Sequence, residues 1–191
     1  VFERYTGVGP RLDLDDGFLV VLQHPVTTEY EESRRHVKET LHAVKDLGIA
    51  TLWFWPNVDA GADGTSSGIR SFRETYAPEN VHFFKSTAPE DFVRILDASD
   101  CIVGNSSAGI RECAYLGLPA VNVGSRQAGR DRGRNVRDVD YDRVAISAAI
   151  QACRREGRLQ ADYIYGQGGA GARIADALAT VEFSVEKRLA Y

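Results

Sequence analysis

From Gly17 onward, apolar runs of strand length alternate with stretches of helical period, and this alternation restricts the chain to few folds. The runs are Phe18–Leu22, Ile49–Trp55, Val81–Phe84, Cys101–Val103 and Pro119–Val123, with a weaker sixth at Val136–Val139. Each is nearly continuous in apolar residues, which marks strands buried on both faces. Between them lie helical stretches. The first opens through Thr28-Glu29-Tyr30-Glu31, a T-x-x-E capping-box pattern, repeats Val37, Leu41, Val44 and Leu47, and stops at Gly48. A Gly/Asp/Ser loop is expected over 56–68, with a short helix over Ile69–Tyr76. Pro89 suits a first helical turn, and Phe92, Ile95 and Leu96 form the buried stripe behind it. A further helix should run from Ser107 to Leu116. Two more should cover Tyr141–Glu156, with Gly157 as stop, and Ala170 to the chain end. Strand–helix alternation of this kind predicts an α/β domain with a doubly wound, parallel, Rossmann-like sheet.

The 191 residues suffice for one domain with a proper core. Residues 17–191 are read as that domain. Val1 to Asp16, with Gly7, Gly9, Pro10 and four acids but no period, reads as a linker or a remnant of an upstream domain. The chain opens on Val1 and contains no methionine, so a piece of a longer protein is expected.

The formal charge of −4 provides no basic field for gripping nucleic acid or an anionic membrane. No stretch reaches the roughly 18 to 20 apolar residues of a membrane span. Cys101, Cys113 and Cys153 form no CxxC pair and sit among apolar neighbours. They are expected to be buried, reduced thiols of a cytoplasmic protein. His24, His36, His42 and His82 form no metal-ligand spacing, so no metal or other cofactor is expected.

In a doubly wound sheet, ligands bind beyond the carboxyl ends of the strands. Gln23-His24-Pro25, Pro56-Asn57-Val58-Asp59, Lys85-Ser86-Thr87, Gly104-Asn105-Ser106-Ser107 and Gly124-Ser125-Arg126 all fall on that rim. Gly104 to Glu112 brings small residues, two hydroxyls and free backbone N–H groups to a helix start, a phosphate cradle without a lysine. It is not a Walker A loop, because no G-K-[ST] closes it. Glu112, a turn or more into that helix, suits the cis-diol of a ribose better than a phosphate. His24 ends a buried strand, and a histidine there can transfer protons near neutral pH. Arg126, Arg130, Arg132 and Arg134 lie in one loop, from which one or two are expected to clamp a diphosphate. Gly166-Gln167-Gly168-Gly169-Ala170-Gly171 imitates a dinucleotide fingerprint but reads as helix-opening punctuation.

Taken together, Gln23-His24-Pro25-Val26-Thr27-Thr28, Pro56-Asn57-Val58-Asp59-Ala60-Gly61, Gly104-Asn105-Ser106-Ser107 through Gly109-Ile110-Arg111-Glu112, and Arg126-Gln127 with Gly129-Arg130 resemble the hydrolysing UDP-N-acetylglucosamine 2-epimerases. Tyr165-Gly166 with Gly168 resembles the same family's C-terminal signature. The sequence departs from a common family form at Ala108, where a third serine often stands. The resemblance implies a GT-B-like enzyme of two Rossmann-like domains, of which this chain is the C-terminal, UDP-binding half. It implies release of N-acetylmannosamine and UDP from UDP-N-acetylglucosamine and water, toward sialic-acid-type sugars. It places His24 as a catalytic residue near the leaving diphosphate. Asn57, Ser106, Ser107, Glu112 and Arg126 fall on nucleotide- or substrate-binding positions, as do Asp63 and Thr87 by a looser match. The full-length protein is expected to be a homo-oligomer, and the isolated chain to lack activity. A GT-B glycosyltransferase domain and a non-catalytic UDP-sugar-binding module are the alternatives.

Overall fold

The computed structural model describes residues 1–182 and contains one seven-stranded sheet in the order β1-β4-β3-β2-β5-β6-β7. Its strands are β1 Gly7–Val8, β2 Leu19–Leu22, β3 Thr51–Phe54, β4 Val81–Phe84, β5 Cys101–Gly104, β6 Ala120–Val123 and β7 Val136–Val139. All pair in parallel except β1, which lies antiparallel on the edge of β4. The helices are α1 Ser33–Leu47, α2 Ala62–Tyr76, α3 Pro89–Ala98, α4 Glu112–Leu116, α5 Arg143–Glu156 and α6 Ala170–Thr180. The doubly wound parallel sheet expected from the alternation is thus present.

Continuous apolar strands place alternate residues in two cores, one on each face. Leu19, Val21, Trp53, Phe83, Val103 and Val121 pack beneath α1, α2 and α5. Val20, Leu52, Phe54, Phe84, Ile102 and Ala120 pack beneath α3 and α4. Each fully buried Leu, Ile or Phe contributes about 1.5–3 kcal/mol, whereas a helix cap contributes about 1 kcal/mol. Where the two conflict, burial and tertiary contacts prevail.

The structure departs from the sequence expectation at two places. The Thr28–Glu31 capping box does not form. Thr27–Glu32 is instead a 3-10 turn kinked at Glu29, and α1 begins at Ser33 without a side-chain cap bond. Glu29 is drawn away to accept a hydrogen bond from the Ser125 hydroxyl. The second departure is α2, which begins at Ala62, so the 56–68 loop is half helix. Its Gly- and Ser-rich first half is the face that touches α1. A Cβ on Gly64 would lie 2.3 Å from Ser33 Oγ, and one on Gly68 would lie 2.6 Å from Val37 Cγ1. Residues that look like a loop by composition are small because two helices touch there.

Val1 to Asp16 is not a free tether. Phe2 packs against His82 and Phe84, and Tyr5 donates to Asp91 and accepts from the Ala88 N–H. His42 lies beside Phe72 and Tyr76, while His36 is buried and stacks on Tyr141 with ring centroids 3.5 Å apart. Tyr141 offers the His36 ring a flat partner within α1's buried side. Cys101, Cys113 and Cys153 are buried free thiols. Gly169 opens α6, as expected of the Gly166–Gly171 run, but every described residue of α6 is exposed. The expected continuation of that helix to the chain end lies outside the described residues. Among the described residues, no helix is long and apolar enough to cross a membrane.

Candidate functional site

From β2 the chain winds outward through β3 to β4, then returns to lay β5 on the other side of β2. The gap beyond β2 and β5 is therefore the point where strand order reverses, the usual place for a ligand crevice. The last paired residues are Leu22 and Gly104. Gly104 has φ +128°, and a Cβ there would lie 2.3 Å from the Leu22 carbonyl oxygen, so only glycine lets the strands stay together to this point.

Beyond that pair, side chains take over from the ladder. Asn105, fully buried, accepts from the His24 N–H at 2.7 Å through Oδ1 and donates Nδ2–H to the His24 carbonyl at 2.9 Å. The His24 imidazole accepts the Asn57 N–H at Nδ1, 3.1 Å away. With Nδ1 accepting, the neutral ring carries its proton on Nε2. Burial, aided by the Arg126 guanidinium, pushes the His24 pKa down to about 4, against a rise contributed by Asp59. At neutral pH His24 is thus an uncharged hydrogen-bond donor rather than a reservoir imidazolium.

The Arg-rich loop folds back onto the same point. Gln127 Nε2 donates to the Asn105 carbonyl at 2.7 Å, and Arg126 Nη1 donates to it at 3.3 Å. Arg126 Nη2 lies 3.7 Å from Asp59 Oδ2, and Asp59 also accepts from the Asn57 carboxamide. Arg132 binds the loop internally, donating to the Gln127 and Arg130 carbonyls and pairing with Asp138. Asp138 is itself held by Asn122. The Tyr165 hydroxyl donates to the Asp131 carbonyl. Of the four arginines, Arg126 and Arg130 line an open cleft of about 470 Å³ with Pro25, Glu29, Asp59 and Ser125. Arg132 is a strut.

Ser106 caps a 3-10 turn over Ser107–Gly109, its Oγ accepting the Ala108 N–H at 3.3 Å, so its hydroxyl proton is free to donate. The single helix expected from Ser107 to Leu116 is broken here. Asn135 Nδ2 donates to the Gly109 carbonyl at 3.0 Å, occupying the acceptor that a continuous helix would offer to the Cys113 N–H. Glu112 is therefore the first residue of α4, exposed, rather than a turn or more inside a helix. The anion attraction expected from a long helix dipole is correspondingly smaller. What this turn offers instead is the pair of half-buried Ser106 and Ser107 hydroxyls.

His24, Asn57, Arg126 and Ser106 thus fall on the rim at the strand switch, with His24, Asn57 and Arg126 linked through direct bonds or a shared partner. Asp63 sits exposed in the first turn of α2, and Thr87 follows β4 two strands from the switch. Among the described residues, neither side chain bonds to that network. The sequence reading assigned no role to Asn105, Gln127 or Asp59, which tie it together. A clue was present in polar amides next to strand ends, although which groups they meet is not a local property.

A family model described as UDP-N-acetylglucosamine 2-epimerase matches residues 4–179. The UDP-N-acetylglucosamine 2-epimerase of Neisseria meningitidis serogroup B is 30% identical over 153 residues, which cover 80% of this chain and 40% of that enzyme. The hydrolysing UDP-N,N'-diacetylbacillosamine 2-epimerase of Legionella pneumophila is 29% identical over 181 residues, 95% of this chain and 46% of the relative. The solved structure of the Neisseria meningitidis enzyme bound to UDP-GlcNAc superposes with a TM-score of 0.67 at 15% identity, covering 87% of this chain and 46% of that one. The chain spans less than half the length of these relatives.

Proposed function

The chain belongs to the UDP-N-acetylglucosamine 2-epimerase family, and on that premise we propose that it is the UDP-binding half of a hydrolysing epimerase. The observation that carries this reading is the convergence of a neutral, half-buried imidazole, a guanidinium and a hydroxyl-lined turn on one strand switch. Such a set suits a departing diphosphate. Arg126 offers two parallel N–H bonds to phosphate oxygens, while Ser106, Ser107 and the loop N–H groups solvate the remaining ones. Glu112 receives the ribose diol, and Asn57 holds both the imidazole and the substrate. Asp63 and Thr87 stand as outer contacts, reached only when the ligand is longer than the diphosphate.

The reaction breaks the anomeric C–O bond, removes the proton at C2 and adds water, giving N-acetylmannosamine and UDP. Negative charge develops on the leaving phosphate oxygen as that bond breaks. His24 Nε2–H meets that charge as a neutral hydrogen-bond donor, which stabilises the leaving oxygen without giving up its proton. A carboxylate of the other domain is the base at C2, because the sugar points away from the UDP half. Tight binding of the leaving group, together with access for water, makes the hydrolytic outcome follow from C–O cleavage.

The test is a product assay on the full two-domain protein without any acceptor. Free 2-epimerised sugar and UDP in equal amounts are expected, from UDP-N-acetylglucosamine or from a 2,4-diacetamido UDP-sugar. Turnover that requires an acceptor would make it a glycosyltransferase. UDP binding without turnover of either sugar would make it a non-catalytic module.

A further inference from the structure

We propose that Asn105, which is fully buried, is the positioning residue of the site, its carboxamide fixing the frame from which the His24 imidazole projects and its carbonyl anchoring the arginine loop. This rests on the nucleotide-binding reading above.

The backbone ladder between β2 and β5 ends at Leu22 and Gly104. Two residues further along β2's chain, the N–H and C=O of His24 have no strand opposite them. Unpaired, they would draw water into the gap or let the strand end move. The Asn105 carboxamide presents one acceptor and one donor at the spacing of a peptide group, and it satisfies both at 2.7 and 2.9 Å. It therefore extends the ladder by one rung made of a side chain. With the His24 backbone held on both sides, its ring has a fixed origin, and Nδ1 meets the Asn57 N–H.

The main-chain carbonyl of the same residue accepts from Gln127 at 2.7 Å and from Arg126 at 3.3 Å. One residue thus joins three separate pieces of the site: the end of β2, the end of β5 and the arginine loop. Asn105 has no exposed surface, so it acts through His24 and Arg126 and not on a ligand. Side-chain identity matters in a specific way. Aspartate keeps the acceptor for the His24 N–H but sets an oxygen against the His24 carbonyl. Alanine leaves both His24 groups unpaired, and an unpaired buried group is strongly disfavoured.

The experiment follows the His24 ring by nitrogen-15 NMR in this chain, titrated with and without UDP, for wild type, Asn105→Asp and Asn105→Ala. Arg126 and Asp59 are the charged groups that act on the ring in all three. In wild type, an Nε2–H tautomer should persist to well below pH 6. In both variants the titration should move upward by a unit or more, the tautomer should lose its preference, and UDP should bind at least tenfold more weakly. Ile146→Val, a buried change on α5, serves as the control. It should lower the melting temperature without moving the His24 titration, which separates positioning from general stability. A folded Asn105→Ala variant with an unchanged His24 titration and tautomer overturns the proposal. Should neither variant fold, the wild-type Asn105 carboxamide decides. Slow solvent exchange supports the clamp, and exchange as fast as an exposed asparagine overturns it. Absence of UDP binding in wild type, with the His24 response to Asn105 intact, overturns the nucleotide reading and leaves the clamp standing.

Discussion

Asp59 and Arg126 face each other across the site cleft, carboxylate to guanidinium at 3.7 Å, with Arg126 28% and Asp59 41% exposed at the side chain. On the proposed function, an incoming diphosphate pairs with that guanidinium and is repelled by that carboxylate. Pairs this exposed contribute about 0.2–1 kcal/mol. Asp59→Asn is therefore expected to tighten UDP binding by up to about fivefold, an effect that fades as salt screens it. Calorimetry at low and high salt checks this. Weaker binding in the variant would mean that Asp59 orients Arg126 more than it competes for it.

Arg126→Ala should weaken UDP binding by about 1.5–3 kcal/mol, since a hydrogen bond to a charged group is lost. The same substitution removes a cation that holds the His24 pKa down. Its imidazole should therefore titrate at a higher pH in the variant, read by NMR. Arg126→Lys should restore part of the low titration but little of the affinity, because an ammonium cannot make two parallel bonds.

Ser106 and Ser107 changed together to alanine should cost UDP affinity on the order of 2–4 kcal/mol. The melting temperature should shift little, because the exchanged hydroxyls are half-buried and one Ser106 bond closes only a single 3-10 turn. Undiminished UDP binding in this double variant would remove the cradle from the site.

Protonation of His24 should make stability fall with acid. Its pKa is about 4 in the folded chain and 6.5 in the unfolded one. Between those values the unfolded state binds more protons, so the stabilisation is present above pH 6.5, declines as pH falls, and is gone below about 4. The span corresponds to at most about 3 kcal/mol. His36 and His42 are shifted in the same direction by burial and contribute to the same slope. Urea denaturation at pH 7 and pH 4.5 should therefore show a smaller acid loss in His24→Gln than in wild type. Equal losses would place His24 outside the acid transition.

In the two-domain protein proposed above, His24→Ala should lower turnover by about 10²- to 10³-fold, the usual contribution of one donor aimed at charge that develops in the transition state. UDP affinity should stay within a few-fold, since the effect belongs to the developing charge and not to the ground state. Continued exchange of the C2 hydrogen with solvent in the variant, alongside slow UDP release, is the expected signature. Loss of UDP affinity in proportion to rate would instead make His24 a binding residue.

By itself, the sequence determined strands β2 to β7, the presence of helices between them and the rim on which polar residues gather. Those features follow from local physics: continuous apolar runs demand burial on both faces, and Pro89, Gly48 and Gly157 mark helix ends through their own backbone preferences. His24, Asn57, Ser106 and Arg126 were legible because a strand's carboxyl end is a position in the chain as well as in space. Only the tertiary structure decided the rest. Ala62 to Gly68 is helix because α1 packs against its small residues, an event 31 residues from its cause in sequence. The helix after Ser107 breaks because Asn135, 26 residues further on, takes the Gly109 carbonyl. Asn105 and His24, 81 residues apart, become neighbours only when β5 is laid beside β2. Local propensity differences amount to a few tenths of a kcal/mol per residue, whereas a buried polar group without a partner costs about 1–3 kcal/mol. The larger quantity is set by whichever residue arrives from elsewhere in the chain, and it fixed the site's final geometry.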